Sequence, residues 1–387
     1  MSYEIYDEPK KKWPTILFIV LALGIGLFIL LYDPHKKTEN SENDTELKGT
    51  CYHYQQLDDN EKKIYETLYT GCLNFKPEIA IPPAKLETCE RVLCALRRDH
   101  PEFFWIINTA TTTSFISGPV TKIAFTIPEN VETKYSAMEQ AADEIVKNAP
   151  KKEYDIVKYF YEYIINNTEY NLNAKDNQTA YSVIINKSSV CGGYSAAFLY
   201  LCDKAGIYSG CVTGEIEGSE NHAWNFVQIN GKYYWVDATW GEPNYKYTDA
   251  GPEDIFYDYL CVPDSDIFPG RILSNNPTYS EYKSYLAFTY PTCTDSSLNY
   301  YANNGIYIDT YNRPVFYNIA MTQSSFMKND YLLIKFSSTD ELYKAVDDLF
   351  TTDSYWLEVS NDIKKYFGKS FQDKILVNET MNHLIIS

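Results

Sequence analysis

The chain contains no CxxC pair and only five scattered histidines, so the ligand spacing of a structural zinc site is absent. It has no glycine-rich phosphate loop, no dinucleotide fingerprint and no acidic calcium-loop pattern, which removes those classes of site. Neither a cofactor nor a metal is expected. Positive charge is also scarce: 34 lysines and arginines face 52 aspartates and glutamates, a net charge of −18. Phosphate backbones are held by basic patches, so a nucleic-acid partner is not expected. No repeat of solenoid period is present. Long apolar runs are confined to one place, residues 13–32.

That run follows Lys10-Lys11-Lys12, is uncharged, and has Trp13 and Tyr32 at its ends. Its length matches the roughly 20 apolar residues that cross a bilayer as a helix. The bulky Leu31-Tyr32-Asp33-Pro34-His35 offers no small-residue cleavage site. The expectation is therefore an uncleaved signal anchor at 13–32. Residues 1–12 would form a short cytoplasmic tail and everything beyond would lie outside the cytoplasm, a single-pass protein of the cell membrane. Residues 33–50 are polar and acidic, have nothing to bury, and read as a flexible stalk.

Beyond the stalk the pattern is mixed. Leu57-Asp58-Asp59-Asn60-Glu61 starts a helix running to about Cys72, and a second helical period covers 86–96. Phe103-Phe104-Trp105-Ile106-Ile107 and Ile123-Ala124-Phe125-Thr126-Ile127 read as strands. Helices near 135–148 and 153–166 lead into a central segment. Residues 243–252 read as loop, and 255–261 as a further strand of the core. The last hundred residues alternate short strands with one amphipathic helix at 340–350, capped by Ser338 or Thr339. The expected divisions are an N-terminal, mainly helical α+β region at 51–130, a central domain at 131–270 and a small C-terminal α+β module at 290–387.

The central segment holds the chemistry. Cys191 lies in Ser189-Val190-Cys191-Gly192-Gly193-Tyr194-Ser195, and apolar residues recur behind it at Tyr194, Phe198, Leu201, Cys202 and Ala205, the spacing of one buried helix face. Cys191 thus falls at or just before a helix N-terminus, where unpaired N–H groups and the macrodipole favour a thiolate. Gly192 and Gly193 leave space for a close backbone approach. A small buried cysteine beside a glycine turn would look the same, so Cys191 needs partners.

Asn230-Gly231 supplies them through geometry. It is a two-residue hairpin signal between Ala223-Trp224-Asn225-Phe226-Val227-Gln228-Ile229 and Lys232-Tyr233-Tyr234-Trp235-Val236. Pairing Ile229 with Lys232 puts Trp224 opposite Asp237 and His222 opposite Thr239. His222 and Asp237 then share a face as diagonal neighbours, roughly 7–8 Å apart at the backbone. A register slip of one residue would separate them onto opposite faces. The turn thus sets a carboxylate beside an imidazole, the pair that orients a base for nucleophilic catalysis.

From 179 to 243 the chain resembles the transglutaminase-like superfamily, within the papain-like group of cysteine enzymes. The matching stretches are Thr179-Ala180-Tyr181, Val190-Cys191-Gly192-Gly193-Tyr194-Ser195, Leu201 through Ala205-Gly206-Ile207, Val212-Thr213-Gly214, His222-Ala223-Trp224-Asn225 and Tyr234-Trp235-Val236-Asp237-Ala238-Thr239-Trp240. The resemblance implies an α+β fold in which the helix bearing the nucleophile packs on an antiparallel sheet. It implies Cys191 as nucleophile, His222 as general base and Asp237 as the partner that orients it. The activity implied is acyl transfer on peptide or protein amides, as transamidation or hydrolysis, which the expected anchor at 13–32 would place at the cell surface. The alternatives are a papain-type peptidase of wall or surface peptides, and a binding module without catalysis on the same scaffold.

Nine cysteines equal one nucleophile plus four disulfides, a scheme that suits an oxidising compartment. Cys89 and Cys94 are awkwardly spaced for a bridge within one helix, and Cys202 reads as core. The 36 tyrosines read as half-buried strand residues.

Overall fold

The computed structural model describes residues 4–6, 51–107, 110–114, 118–216, 221–242, 255–268, 270–326, 331–352, 354–371, 374–379 and 381–387. The expected span at 13–32, the stalk at 33–50 and the loop at 243–252 lie outside the described residues. Among the described residues, no helix is long and apolar enough to cross a membrane.

The architecture is mixed α and β, and the chain divides into two compact units. The divisions differ from those expected. The first unit runs on to Thr239 and takes back Pro263–Asp295, so the region at 51–130 is part of the same body as the central segment. The second unit combines Trp240–Val262 with Ser296–Ser387 and the first twelve residues.

In the first unit, helix α1 (Asp59–Leu73) opens with a capping box. The Asp58 carboxylate accepts from the N–H groups of Asn60 and Glu61, and Glu61 accepts from the Asp58 N–H. Strand β1 (Glu78–Ala84), helix α2 (Leu86–Asp99), and strands β2 (Ala110–Ser114) and β3 (Val120–Phe125) follow, the strands forming a sheet in the order β1-β3-β2. The apolar run at 103–107 is not a strand. It forms a 3-10 turn at Phe104–Ile106 with all three residues buried, a case in which burial without alternation says nothing about period.

Helices α3 (Val131–Lys147) and α4 (Glu153–Asn167) lead to the short α5 (Ala180–Ile184) and the central α6 (Cys191–Lys204). Every residue from Gly193 to Cys202 is buried, as expected of a helix that is apolar all round. It packs on an antiparallel sheet of β4 (Ser209–Ile216), β5 (Asn221–Ile229), β6 (Lys232–Val236) and β7 (Arg271–Leu273), in the order β6-β5-β4-β7. This is the expected helix-on-sheet core.

The second unit has its own sheet, with strands in the order Glu4–Tyr6, Ile375–Asn378, His383–Ile386, Leu332–Phe336, Tyr307–Ile308. Helices Arg313–Phe326, Thr339–Val346 and Tyr355–Phe367 bury Phe316, Leu342, Val346 and Val359 with Ile334 and Phe336. Ser338 caps the second of these, accepting from the Glu341 N–H. Segment 240–262 belongs here because buried Asp258 accepts from Lys335 Nζ at 2.5 Å and pairs with His383 at 3.2 Å. Within 255–261 only the end is extended, at Leu260–Val262.

Candidate active site

Cys191 is the first residue of α6, entered from Val190 in an extended conformation. The N–H groups of Gly193 and Tyr194 turn back to the Val190 carbonyl at 2.9 and 3.1 Å. Those of Cys191 and Gly192 have no partner among the described residues, as the start of a helix requires. The entry is pinned from behind. Val190 N–H and Ser189 Oγ both donate to the Asn177 carbonyl, at 3.1 and 2.8 Å.

The two glycines are explained by the protein itself. A Cβ on Gly193 would lie 1.9 Å from Ser189 Oγ and 2.9 Å from Ser182 Oγ, hydroxyls that bond each other at 2.7 Å. A Cβ on Gly192 would lie 2.0 Å from Gln178 Oε1. The space expected for a substrate backbone is, on that side, filled by the chain's own polar groups.

His222 stands on β5. Asn230 and Gly231 take the left-handed φ values of 51° and 75° that a two-residue hairpin demands. Ile229 pairs with Lys232 and Asn225 with Val236, which carries Trp224 opposite Asp237 as expected. His222 Nε2 donates to Asp237 Oδ2 at 2.7 Å. The Cys191 thiol interacts with the same ring. Trp224, fully buried, stacks on the imidazole at 5.8 Å and 20°. Helix and strand are locked together: Ser195 Oγ donates to the Trp224 carbonyl at 3.0 Å, and Asn225 Nδ2 donates to the Ser195 carbonyl at 3.1 Å. The structure thus brings Cys191, His222 and Asp237 into one connected group.

The electrostatics of that group follow from its isolation. Burial works against a charged His222, but the Asp237 carboxylate and then the Cys191 thiol outweigh it and raise its pKa to about 9. Burial would raise the Asp237 carboxyl, yet His222 and Arg271 hold it below the usual carboxylate range. The imidazole is therefore a cation at neutral pH, set between a carboxylate and a thiol.

Arg271 is the residue the sequence did not offer. From β7 its Nη2 donates to Asp237 Oδ2 at 2.9 Å, and its Nη1 donates to the Ile267 carbonyl at 3.0 Å. It reaches the site because β7 pairs antiparallel with β4, Arg271 opposite Ile216, while His222 lies opposite Gly214 on the other side of β4. Asp237 is fully buried with two cationic partners on one oxygen. Local spacing carries no sign of that pairing. The only cue was an arginine inside an apolar strand pattern.

All nine cysteines are free thiols, so the four-disulfide scheme does not hold. Six of them, Cys51, Cys72, Cys89, Cys202, Cys261 and Cys293, are buried. Among the described residues no cluster of histidine, cysteine or carboxylate side chains is arranged to hold a metal ion.

Residues 139–238 match the model of the transglutaminase-like superfamily. A kyphoscoliosis peptidase of Mus musculus is 28% identical over 158 residues, which is 35% of this chain and 24% of that protein. The Homo sapiens protein of the same name is 28% identical over 125 residues, 28% of this chain and 19% of that protein. The chain therefore spans about a quarter or less of the length of these curated relatives. Among solved structures, the periplasmic domain of TgpA from Pseudomonas aeruginosa aligns with a TM-score of 0.23 and 18% identity, over 32% of this chain and 58% of that one. The match covers α6 with strands β4, β5 and β6, a transglutaminase-like segment within 139–238.

Proposed function

With a transglutaminase-like domain as its chemical centre, we propose that this protein is a thiol-dependent acyl-transfer enzyme acting on peptide or protein amides. One observation carries the reading: a single buried imidazole is shared between Asp237 and Cys191. In the proposed reaction the Cys191 thiolate adds to the amide carbonyl carbon. His222, held as a cation by Asp237, gives its proton to the departing amine as the C–N bond breaks. Water or a second amine then attacks the thioester, His222 takes back a proton, and Cys191 leaves as thiolate. Asp237 stays ionised throughout, since Arg271 and His222 both stabilise its charge.

Water as the acceptor gives a peptidase and an amine gives a transamidase; the name of the mammalian relatives supports the former. The test is intact-protein mass spectrometry after incubation with p-nitrophenyl acetate. Wild type should gain one acetyl group on Cys191, and Cys191→Ala none. Adding glycine ethylester or water alone then reports which acceptor clears the thioester.

The site of action follows from 13–32, proposed to anchor the protein with its catalytic domain outside the cytoplasm, near wall peptides or surface proteins. One contact opposes it. Glu4–Tyr6 pairs with Leu376–Asn378, and strands on opposite faces of a bilayer cannot pair. Protease shaving of intact cells decides. Loss of Cys191 peptides with a retained N-terminal fragment supports the anchor; their full protection until lysis overturns it.

A further inference from the structure

Helix α1 ends in a pair of bonds that usually calls for glycine. Phe75 N–H donates to the Cys72 carbonyl at 2.9 Å and Lys76 N–H to the Gly71 carbonyl at 3.0 Å, with Phe75 in the left-handed region at φ 50°. A bulky residue is strained there, so the turn itself gives no reason for a phenyl ring. The ring closes one wall of a cavity of about 280 Å³, lined from the end of α1 and from α3. Phe103 and Tyr135 supply two more walls. All three rings are fixed round the buried Trp105, their centroids 5.3, 5.5 and 6.2 Å from its own. Phe75 and Tyr135 also meet edge to face at 5.6 Å. The aromatic walls are thus preorganised.

The rest of the lining is polar and of one sign. Glu132, Tyr135, Ser136 and Glu139 line the cavity from α3, at the three- and four-residue spacing of one helix face. None of these four side chains has a hydrogen-bond or ion-pair partner among the described residues. Burial first, and then the Glu102 and Glu139 carboxylates, push the Tyr135 hydroxyl above its ordinary range. Glu102 is engaged by His100 at 2.8 Å, which leaves exposed Glu132 and half-buried Glu139 for a ligand.

We infer that this cavity binds a primary alkylammonium group, its N–H donors on the Glu132 and Glu139 carboxylates and its alkyl stem against Phe75, Phe103 and Tyr135. Aromatic faces attract a cation through their quadrupole, and carboxylates accept its charged hydrogen bonds. A primary ammonium has three donors and no acceptor, which suits a lining of carboxylate and hydroxyl oxygens. Among the described residues no group of side chains is arranged for a metal ion. The site is separate from the catalytic group. Tyr200, whose hydroxyl is pushed upward by burial and then by Glu102, Tyr135 and Glu139, follows Cys191 along α6 by about 14 Å of helix axis. Free amines carry the required group, and so do lysine side chains of other proteins.

Isothermal titration calorimetry on the full chain, at about 0.15 M salt to screen weak surface attraction, tests the assignment. n-Hexylamine should bind saturably at one site, and hexanol, the same chain without the charge, at least about tenfold more weakly. Glu139→Gln should weaken n-hexylamine by about tenfold or more, the size of one charged hydrogen bond. Phe75→Leu should weaken it about threefold, the size of one accessible cation–π contact. The glutamine variant changes one half-buried position on a helix and keeps the test valid should the leucine variant fold poorly. Cys191→Ala should bind n-hexylamine as wild type does; loss of binding there would place the amine at the catalytic group and overturn the inference. Lysine blocked as its Nα-acetyl N-methylamide, binding as tightly as n-hexylamine, would assign the site to lysine side chains, and binding of n-hexylamine alone would assign it to free amines. Equal affinity for hexanol and n-hexylamine, affinity unchanged by Glu139→Gln, or no saturable binding of either amine would overturn it.

Discussion

Among its described residues the first unit holds two groups of thiol, imidazole and carboxylate with the same connectivity and different access. Beside Cys191–His222–Asp237 stands Cys51–His100–Glu102. Cys51 Sγ lies 3.7 Å from His100 Nε2, and His100 Nδ1 lies 2.8 Å from Glu102 Oε1. In connectivity they match. In both, the partners outweigh burial: His100 is raised well above its ordinary value by Glu102 and Cys51, as His222 is by Asp237 and Cys191. The contrast lies in access and in donors. Cys51 is 6% exposed and precedes only a 3-10 turn, whereas Cys191 is partly exposed and opens a fourteen-residue helix. The rings of Tyr65, Tyr69 and Phe103 lie 4.6–5.8 Å from that of His100. A charged imidazole beside a thiol is thus a local electrostatic outcome. A nucleophile also requires an approach and a place for the oxyanion.

The comparison breaks most directly at the thiols. Cys191→Ala should abolish turnover and remove the fastest iodoacetamide label, while Cys51→Ala should retain turnover. Peptide mapping after brief labelling checks this, and equal labelling of Cys51 and Cys191 would erase the distinction. At the imidazoles, His222→Ala should lower acetylation by roughly 10²–10⁴-fold, the range of a general acid–base group. His100→Ala should act on melting temperature, not on rate per folded molecule. Asp237→Asn keeps the shape but not the charge that holds His222 protonated, so its loss of rate should approach that of His222→Ala.

Arg271→Met tests the pairing from β7. It leaves Asp237 with one cationic partner in a buried site, and breaking such a pair costs about 3–5 kcal/mol. Calorimetry should record the drop in stability, with His222 still paired to Asp237. A melting temperature equal to wild type would show the arginine to be dispensable.

The smallest effect is on pH. His222 has a folded pKa of about 9, above its unfolded value near 6.5. The stability it contributes is therefore fully present below pH 6.5 and is lost as pH rises through about 9. Turnover of an amide substrate should decline over the same upper range, as the proton needed by the departing amine is lost. In His222→Gln that step in the stability profile should disappear; its persistence would assign it to another group, with His100 the first candidate.

What the sequence determined by itself was whatever short-range rules control. Asn230-Gly231 imposes a two-residue turn, the turn imposes a register, and the register sets His222 beside Asp237; each step spans few residues and has one steric solution. The helix start at Cys191 was legible for the same reason, as were the caps at Asp58 and Ser338. Only tertiary structure decided the rest. Arg271 meets the site from an edge strand whose partners are distant in sequence, and no periodicity encodes it. The division into units was equally hidden, because the chain leaves the first body at Trp240, joins the second through Asp258, Lys335 and His383, and returns at Pro263. Nor could composition show which cysteines pair, since a bridge depends on where two Cα atoms come to rest once the apolar surface around them is buried.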